Sequence, residues 1–257
     1  MSEKKEENKF LLQEAARDGK ALTVRSLLRE NPRLVQRRDL DGRVALHWAV
    51  SSNHQEIVAM LLNPLLIANA EEKKFSKFEI EIDDLVDDAG WTPLHIAAAL
   101  GNLEIIELLI THDPEPTINQ QTNAGQTVLH LSASKNLYET TAYFLKHGAS
   151  ARVKDKKGQY PIFRAASIGS IRLVELLCTE GKSQLNNKDN FGWTILHHAL
   201  AEGHGDVAIE LVKRGANPNI ESGDGQTPVE VSVDQKIEKY FRQHLEDLGI
   251  ELEKSKK

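Results

Sequence analysis

A single cysteine, Cys178, stands in 257 residues, so no disulfide can form within the chain. It sits in the apolar stretch Leu173-Val174-Glu175-Leu176-Leu177-Cys178 with no local histidine or cationic group to activate it. That setting reads as a small packed hydrophobe and not as a nucleophile. Aromatic residues make up only 5%, too few for a round core built on large rings, while 40% apolar residues suffice for thin layers filled by Leu, Ile, Val and Ala. A basic excess is also missing. The net charge of −6 argues against a general binder of nucleic acid or of anionic membranes. No apolar run approaches the roughly 18 residues of a membrane span. The opening Met1-Ser2-Glu3-Lys4-Lys5-Glu6-Glu7 has no apolar centre of the kind a signal peptide needs. Paired Cys-x-x-Cys, a phosphate-cradling glycine loop and Gly-x-Ser-x-Gly are all absent. These absences leave no cofactor, no metal and no catalytic residue to assign, and they predict a non-enzymatic chain of the cytoplasm and nucleus.

What the chain does have is one phrase, repeated. Ala45-Leu46-His47-Trp48-Ala49 returns as Thr92-Pro93-Leu94-His95-Ile96-Ala97-Ala98, then as Thr127-Val128-Leu129-His130-Leu131-Ser132-Ala133. Tyr160-Pro161-Ile162-Phe163-Arg164-Ala165-Ala166 and Thr194-Ile195-Leu196-His197-His198-Ala199 complete the set. A glycine precedes each, at Gly42, Gly90, Gly125, Gly158 and Gly192, with a last one at Gly225; the spacings are 48, 35, 33, 34 and 33. A period near 33 headed by Thr-Pro-Leu-His-x-Ala resembles the ankyrin signature. Each copy then reads as a polar tip around its glycine, a first helix started by Thr-Pro, a stop at Asn53, Gly101, Asn136, Gly169 or Gly203, and a second apolar-striped helix. One copy cannot bury its apolar face alone, so the copies must stack.

The resulting expectation is an all-α ankyrin-repeat solenoid of seven units with short β-hairpin tips: five complete copies between two capping copies. The caps are the polar variant Phe10-Leu11-Leu12-Gln13-Glu14-Ala15-Ala16-Arg17-Asp18-Gly19 and the divergent Gly225-Gln226-Thr227-Pro228-Val229-Glu230. Residues 1–7 read as a disordered N-terminus, 8–245 as the repeat domain and 246–257 as a C-terminal tail. The 48-residue interval holds a surplus of about 15 residues, read as an enlarged surface loop over 64–86. Within it Glu79-Ile80-Glu81-Ile82 alternates as a short strand would.

Histidine is the tempting residue for chemistry. His47, His95, His130 and His197 share one slot of the repeat, which marks them as structural ties between layers. His197, His198 and His204 suggest a metal-dependent hydrolase on paper. Adjacent residues of a helix point about 100° apart, however, so His197 and His198 do not share a face. Information about partners lies in what the repeat leaves free. The tips carry Asp41, Asp83, Asp84, Asp87 and Asp88 early in the chain, and Lys156 and Lys157 later, joined by Lys135 and Arg164 from the first helices. Trp91 and Trp193 follow their glycines, where an aromatic suits an interface anchor. A partner with charge clusters of both signs would be oriented by this pattern.

Asp39-Leu40-Asp41-Gly42-Arg43-Val44-Ala45-Leu46-His47-Trp48, followed by Asp87-Asp88-Ala89-Gly90-Trp91-Thr92-Pro93-Leu94-His95, resembles gankyrin and its fungal counterparts. So do Ala133-Ser134-Lys135-Asn136 and Arg164-Ala165-Ala166-Ser167-Ile168-Gly169-Ser170, and the likeness covers residues 8 to 245. The resemblance implies a non-enzymatic chaperone, monomeric when free, for assembly of the proteasome regulatory particle. Its concave face would grip the C-terminal small domain of one AAA ATPase subunit of the base and hinder premature docking on the core particle. The implied contacts are Asp41, Arg43, Trp48, Asp88, Trp91, Lys135 and Arg164. Where the animal member carries Leu-x-Cys-x-Glu for retinoblastoma binding, this chain reads Leu200-Ala201-Glu202-Gly203-His204, so that activity is not implied. The alternative is a generic ankyrin scaffold that sequesters a transcription factor or a kinase.

Overall fold

The computed structural model describes residues 10–69 and 79–252, so the expected disordered stretch 1–7 lies outside the described residues. The chain divides into two compact units, Met1–Ala124 and Gly125–Lys257. The first holds three of the seven copies and the second holds four. In the first unit the helices are α1 (Leu11–Arg17), α2 (Ala21–Glu30), α3 (Ala45–Ser51), α4 (Gln55–Leu62), α5 (Pro64–Ile67), α6 (Pro93–Leu100) and α7 (Leu103–Ile110). In the second they are α8 (Val128–Ser134), α9 (Tyr138–Lys146), α10 (Pro161–Ser167), α11 (Ile171–Thr179), α12 (Ile195–Ala201), α13 (Gly205–Lys213) and α14 (Gln235–Asp247). Among the described residues every regular element is helical.

First helices stack on first helices: α1 on α3 and α3 on α6 in one unit, α8 on α10 and α10 on α12 in the other. The alanine pairs make this close approach possible, since Ala49, Ala98, Ala133, Ala165, Ala166 and Ala199 are all fully buried. Leu46, Leu94, Leu129, Ile162 and Leu196 fill the same slot in successive copies. Each such side chain contributes roughly 1.5–3 kcal/mol when taken from water into the core. Behind them α4 packs on α7, and α9, α11 and α13 pack in series.

Asn53, Gly101, Asn136, Gly169 and Gly203 all have positive φ, between 56° and 83°, which stops each first helix. At the tips the demand is stricter. Gly90 has φ of 75°, and a Cβ there would lie 2.6 Å from the backbone nitrogen of Asn123 in the following tip. The tips close as turns, Asp39 N to Arg43 O at 2.8 Å and Gly42 N to Asp39 O at 3.2 Å, without a strand ladder among the described residues.

The enlarged segment 64–86 is more than surface loop. It begins with α5, which packs on α2, and its far side buries Ile80, Ile82 and Leu85. The alternation at Glu79–Ile82 does not form a strand: Ile82–Asp84 is a 3-10 turn. Asp83 accepts from the Thr117 amide at 2.9 Å, and the Arg38 guanidinium donates to the carbonyls of Asp84 and Val86. Ala70, Glu71, Glu72, Lys73, Lys74, Phe75, Ser76, Lys77 and Phe78 lie outside the described residues. At the other end α14 continues to Asp247, two residues beyond the expected end of the repeat domain at 245.

Candidate partner-binding site

Four tips begin with an aspartate that does two jobs, half-buried at Asp39 and buried at Asp87, Asp155 and Asp189. One oxygen folds the tip: Asp39 Oδ1 accepts from the amides of Asp41 and Arg43 at 3.0 and 2.9 Å. Asp87, Asp155 and Asp189 repeat this pattern with amides two and four residues on. The other oxygen takes a side chain. Asp39 Oδ2 accepts from Trp48 Nε1 at 2.6 Å, Asp155 Oδ2 from Arg164 Nη2 at 2.6 Å, and Asp189 Oδ2 from His198 Nε2 at 2.9 Å. In each pair the donor is nine residues after the aspartate, on the first helix of the same copy. Asp87 instead takes Arg43 from the preceding tip, Nε to Oδ2 at 3.1 Å, and Asp189 also takes Gln159 Nε2 at 2.9 Å. Burial opposes the charge of Asp189, but hydrogen bonds from Gln159, His198 and two backbone amides outweigh it and hold its carboxyl below the usual range.

Three expected contact residues, Arg43, Trp48 and Arg164, are therefore already engaged. Each is half-buried and locks a tip, with the Arg43 guanidinium also lying 5.2 Å over the Trp48 ring. The other two tryptophans lean on their own repeats. The ring of Trp91 lies 6.4 Å from that of His95, and Trp193 stacks 5.7 Å from His197 with His198 at its edge. Trp91 and Trp193 still keep part of their surface open.

The remaining five are exposed: Asp41 and Asp88 in the first unit, Lys135, Lys156 and Lys157 in the second. Their backbones, unlike their charges, are fixed. Asp88 N donates to Asp41 O at 3.0 Å, and Asn190 N and Nδ2 donate to the carbonyls of Lys157 and Lys156 at 2.9 Å. Tip-to-tip bonds thus set the pitch at which these charges are presented. Leu40 and Phe191, 84% and 68% exposed, flank them and were not singled out by sequence. A small hollow of about 200 Å³ between α1 and the first tip is lined by Gln13, Glu14, Leu40, Asp41 and Trp48. Gln13, almost fully buried, donates to Arg37 O at 2.7 Å.

The repeated histidines are spoken for. Nδ1 of His95, His130 and His197 accepts from the amide of the threonine that starts the helix, at 3.1 Å in each case, and Val44 supplies the amide for His47. Each Nε2–H then donates to a carbonyl ahead, all at 3.0 Å: Trp91, Gln159 and Gln226 in the next tip, and Gln120 in the turn just before it. That pattern requires the neutral ring. Burial pushes His47, His130 and His197 below the usual histidine value, in keeping with it. Where Phe163 replaces the histidine the ring is buried and meets His198 edge-on at 5.4 Å. In the last copy the Glu230 carboxylate takes over the role of Nδ1, accepting from the Thr227 amide at 2.8 Å. His204 Nε2 donates to Ser167 O at 3.1 Å, so His197, His198 and His204 each serve a different partner. Among the described residues no three His, Cys, Asp or Glu side chains converge as metal ligands. Cys178 is half-buried, and burial raises its thiol pKa to about 11.

Stacked helix pairs, glycine-turned tips and histidine ties define an ankyrin-repeat protein. The family model for ankyrin repeats (3 copies) matches residues 1–74, 64–155 and 136–222. The ankyrin repeat domain of Bcl-3 superposes with a TM-score of 0.69 over 90% of this chain and 97% of that one, at 22% identity, a likeness of fold alone. Within the class, the chain belongs to the gankyrin family: it is 42% identical to the "Probable 26S proteasome regulatory subunit p28" of Saccharomyces cerevisiae, over 90% of this chain and 97% of that protein. The "Ankyrin repeat-containing protein C6C3.08" of Schizosaccharomyces pombe is 33% identical over 89% and 92% of the two chains.

Proposed function

We propose that this protein is a non-enzymatic chaperone for assembly of the proteasome regulatory particle, acting in the cytoplasm and nucleus. Its tips hold the C-terminal small domain of one AAA ATPase subunit of the base and keep that subunit from docking prematurely on the core particle. The observation that carries this reading is the 42% identity to the yeast p28 subunit over nearly the full length of both chains. The tip chemistry supports it. Asp41, Asp88, Lys135, Lys156 and Lys157 offer solvent-facing charges on rigidly hydrogen-bonded backbone, which orients a partner at little entropic cost. Trp91 and Trp193 supply partly open aromatic surface beside them. Capture assays with the small domain of each proteasomal ATPase test the proposal. One domain should be retained at micromolar or lower concentration, and retention of none would dismiss it in favour of a scaffold for some other protein.

A further inference from the structure

Leu22, Arg25, Ser26 and Arg29 stand on one face of α2, at the i, i+3, i+4 and i+7 positions that line up on a helix. Val24 and Leu28 face the other way and are fully buried. Beside the outward face lies α5, the first segment of the enlarged interval, and the two helices bound a groove of about 600 Å³. Leu66 on α5 faces this groove with Leu22; they are 78% and 83% exposed, among the most exposed large apolar side chains described. One rim is fixed by Asn69, whose amide donates to Arg29 O at 3.1 Å while its Oδ1 accepts from Arg29 Nε at 3.2 Å. Among the described residues the groove has no carboxylate in its lining, although the chain as a whole carries a net charge of −6. Arg25 reaches Glu56 at 3.4 Å, but both side chains are more than half exposed, so that pair is weak and exchangeable.

A groove with two bare leucines and two arginines one turn apart has the features that take an amphipathic segment: apolar anchors below and charge along the edge. We propose that the α2–α5 groove docks an acidic amphipathic segment of a second partner protein, distinct from the ATPase domain held by the tips. Its apolar side chains would cover Leu22 and Leu66, and its carboxylates would pair with Arg25 and Arg29, whose planar guanidinium groups suit carboxylate recognition. The inference does not depend on the ATPase reading, since it uses none of the tip residues. It also gives the extra residues of this copy a task, because α5 supplies one wall.

The test uses the full chain and two synthetic peptides of about three helical turns. One has leucines at every third or fourth position flanked by glutamates; the other carries lysine in place of each glutamate. Binding is read by anisotropy and by the methyl resonances of Leu22 and Leu66. The acidic peptide should bind saturably and shift both methyl groups, whereas the basic one should not. The R25E/R29E pair and Leu66→Ser should each weaken binding about tenfold, as loss of a charge pair or an anchor would. Both lie at exposed positions, so unfolding temperatures should stay near that of the parent. Equal binding of the two peptides, absence of saturation, or unchanged affinity in both variants would overturn the proposal. Tighter binding after removal of residues 70–78 would name the chain itself as occupant and overturn it too. Capture of an ATPase small domain should be the same in these variants; its loss would assign the groove to that interface instead of a second partner.

Discussion

Trp48 Nε1 donates to Asp39 Oδ2 at 2.6 Å, from a helix to the tip that precedes it in the same repeat. Arg164 and His198 occupy the equivalent slot and make the equivalent bond to Asp155 and Asp189. The slot after the repeated histidine is thus a lock on the tip. Its occupant affects a partner first through the geometry of the tip and only then by touch. Trp48→Phe keeps a ring but removes the donor, leaving one oxygen of the half-buried Asp39 carboxylate unmatched by protein. Chemical denaturation should show a loss of about 1–2 kcal/mol. An unchanged midpoint would mean that the bond adds no stability.

Arg164→Met makes the sharper case, because it strips the cation from Asp155, whose side chain is 2% exposed. Removing one partner of a buried pair costs more than the pair is worth. Arg164 retains some solvent, so a loss of roughly 2 kcal/mol is expected. Double substitution with Asp155→Asn should recover part of it, and strict additivity of the two single losses would contradict the coupling.

The exposed charges should behave in the opposite way. Asp41→Lys, Asp88→Lys and Lys135→Glu leave every described hydrogen bond of their side chains intact, because none of these side chains is bonded to a neighbour among the described residues. Each reversal should leave the unfolding midpoint in place and weaken capture of the ATPase domain by roughly tenfold. The weakening should shrink at high salt. A shifted midpoint with unaltered capture would reverse the assignment of roles between locks and contacts.

Much of this architecture was legible in the spacing of glycines. Gly42 to Gly225 set the phase of the copies, and the Thr-Pro and Asn or Gly positions set where first helices begin and end. The locks were legible too, though less plainly: Asp39 and Trp48, Asp155 and Arg164, Asp189 and His198 are each nine residues apart. What hid them is that tryptophan, arginine and histidine look unrelated by type while sharing the ability to donate to a carboxylate. The enlarged segment resisted reading for another reason. Ile80 and Ile82 alternate as in a strand, but burial of both comes from packing in a non-repetitive segment, where local periodicity carries no register. Leu40 and Phe191 gave no signal, because only the stacked tips leave them bare.

The histidine ties make stability fall in mild acid. Burial lowers His47, His130 and His197 from a reference value of 6.5, so the unfolded chain takes up protons that the folded chain refuses. Their contribution is complete above pH 6.5 and is lost progressively as pH falls below it, towards the depressed folded values. Each contributes up to about 1.4 kcal/mol per pH unit in that window. Unfolding midpoints should therefore drop between pH 7.5 and 5.5, and His130→Gln should flatten the slope. A midpoint independent of pH over that range would show that the rings protonate without cost.

Cys178, with its thiol raised to about 11, should be nearly inert. At pH 7.5 its thiolate fraction is about a hundredfold below that of a free cysteine. Iodoacetamide labelling followed by mass spectrometry should be slow in the native protein and fast in denaturant. Rapid native labelling would show that the second helix of that copy opens readily.

The central claim, that the tips grip one proteasomal ATPase small domain, is tested most directly by titration calorimetry. The full chain would be titrated with each purified small domain, and the tight binder then repeated against Asp41→Lys/Asp88→Lys. The account predicts one domain bound in a single-site complex and a loss of at least about a hundredfold in the double variant. Heat of binding from none of the domains, or the same affinity in the double variant, would contradict it.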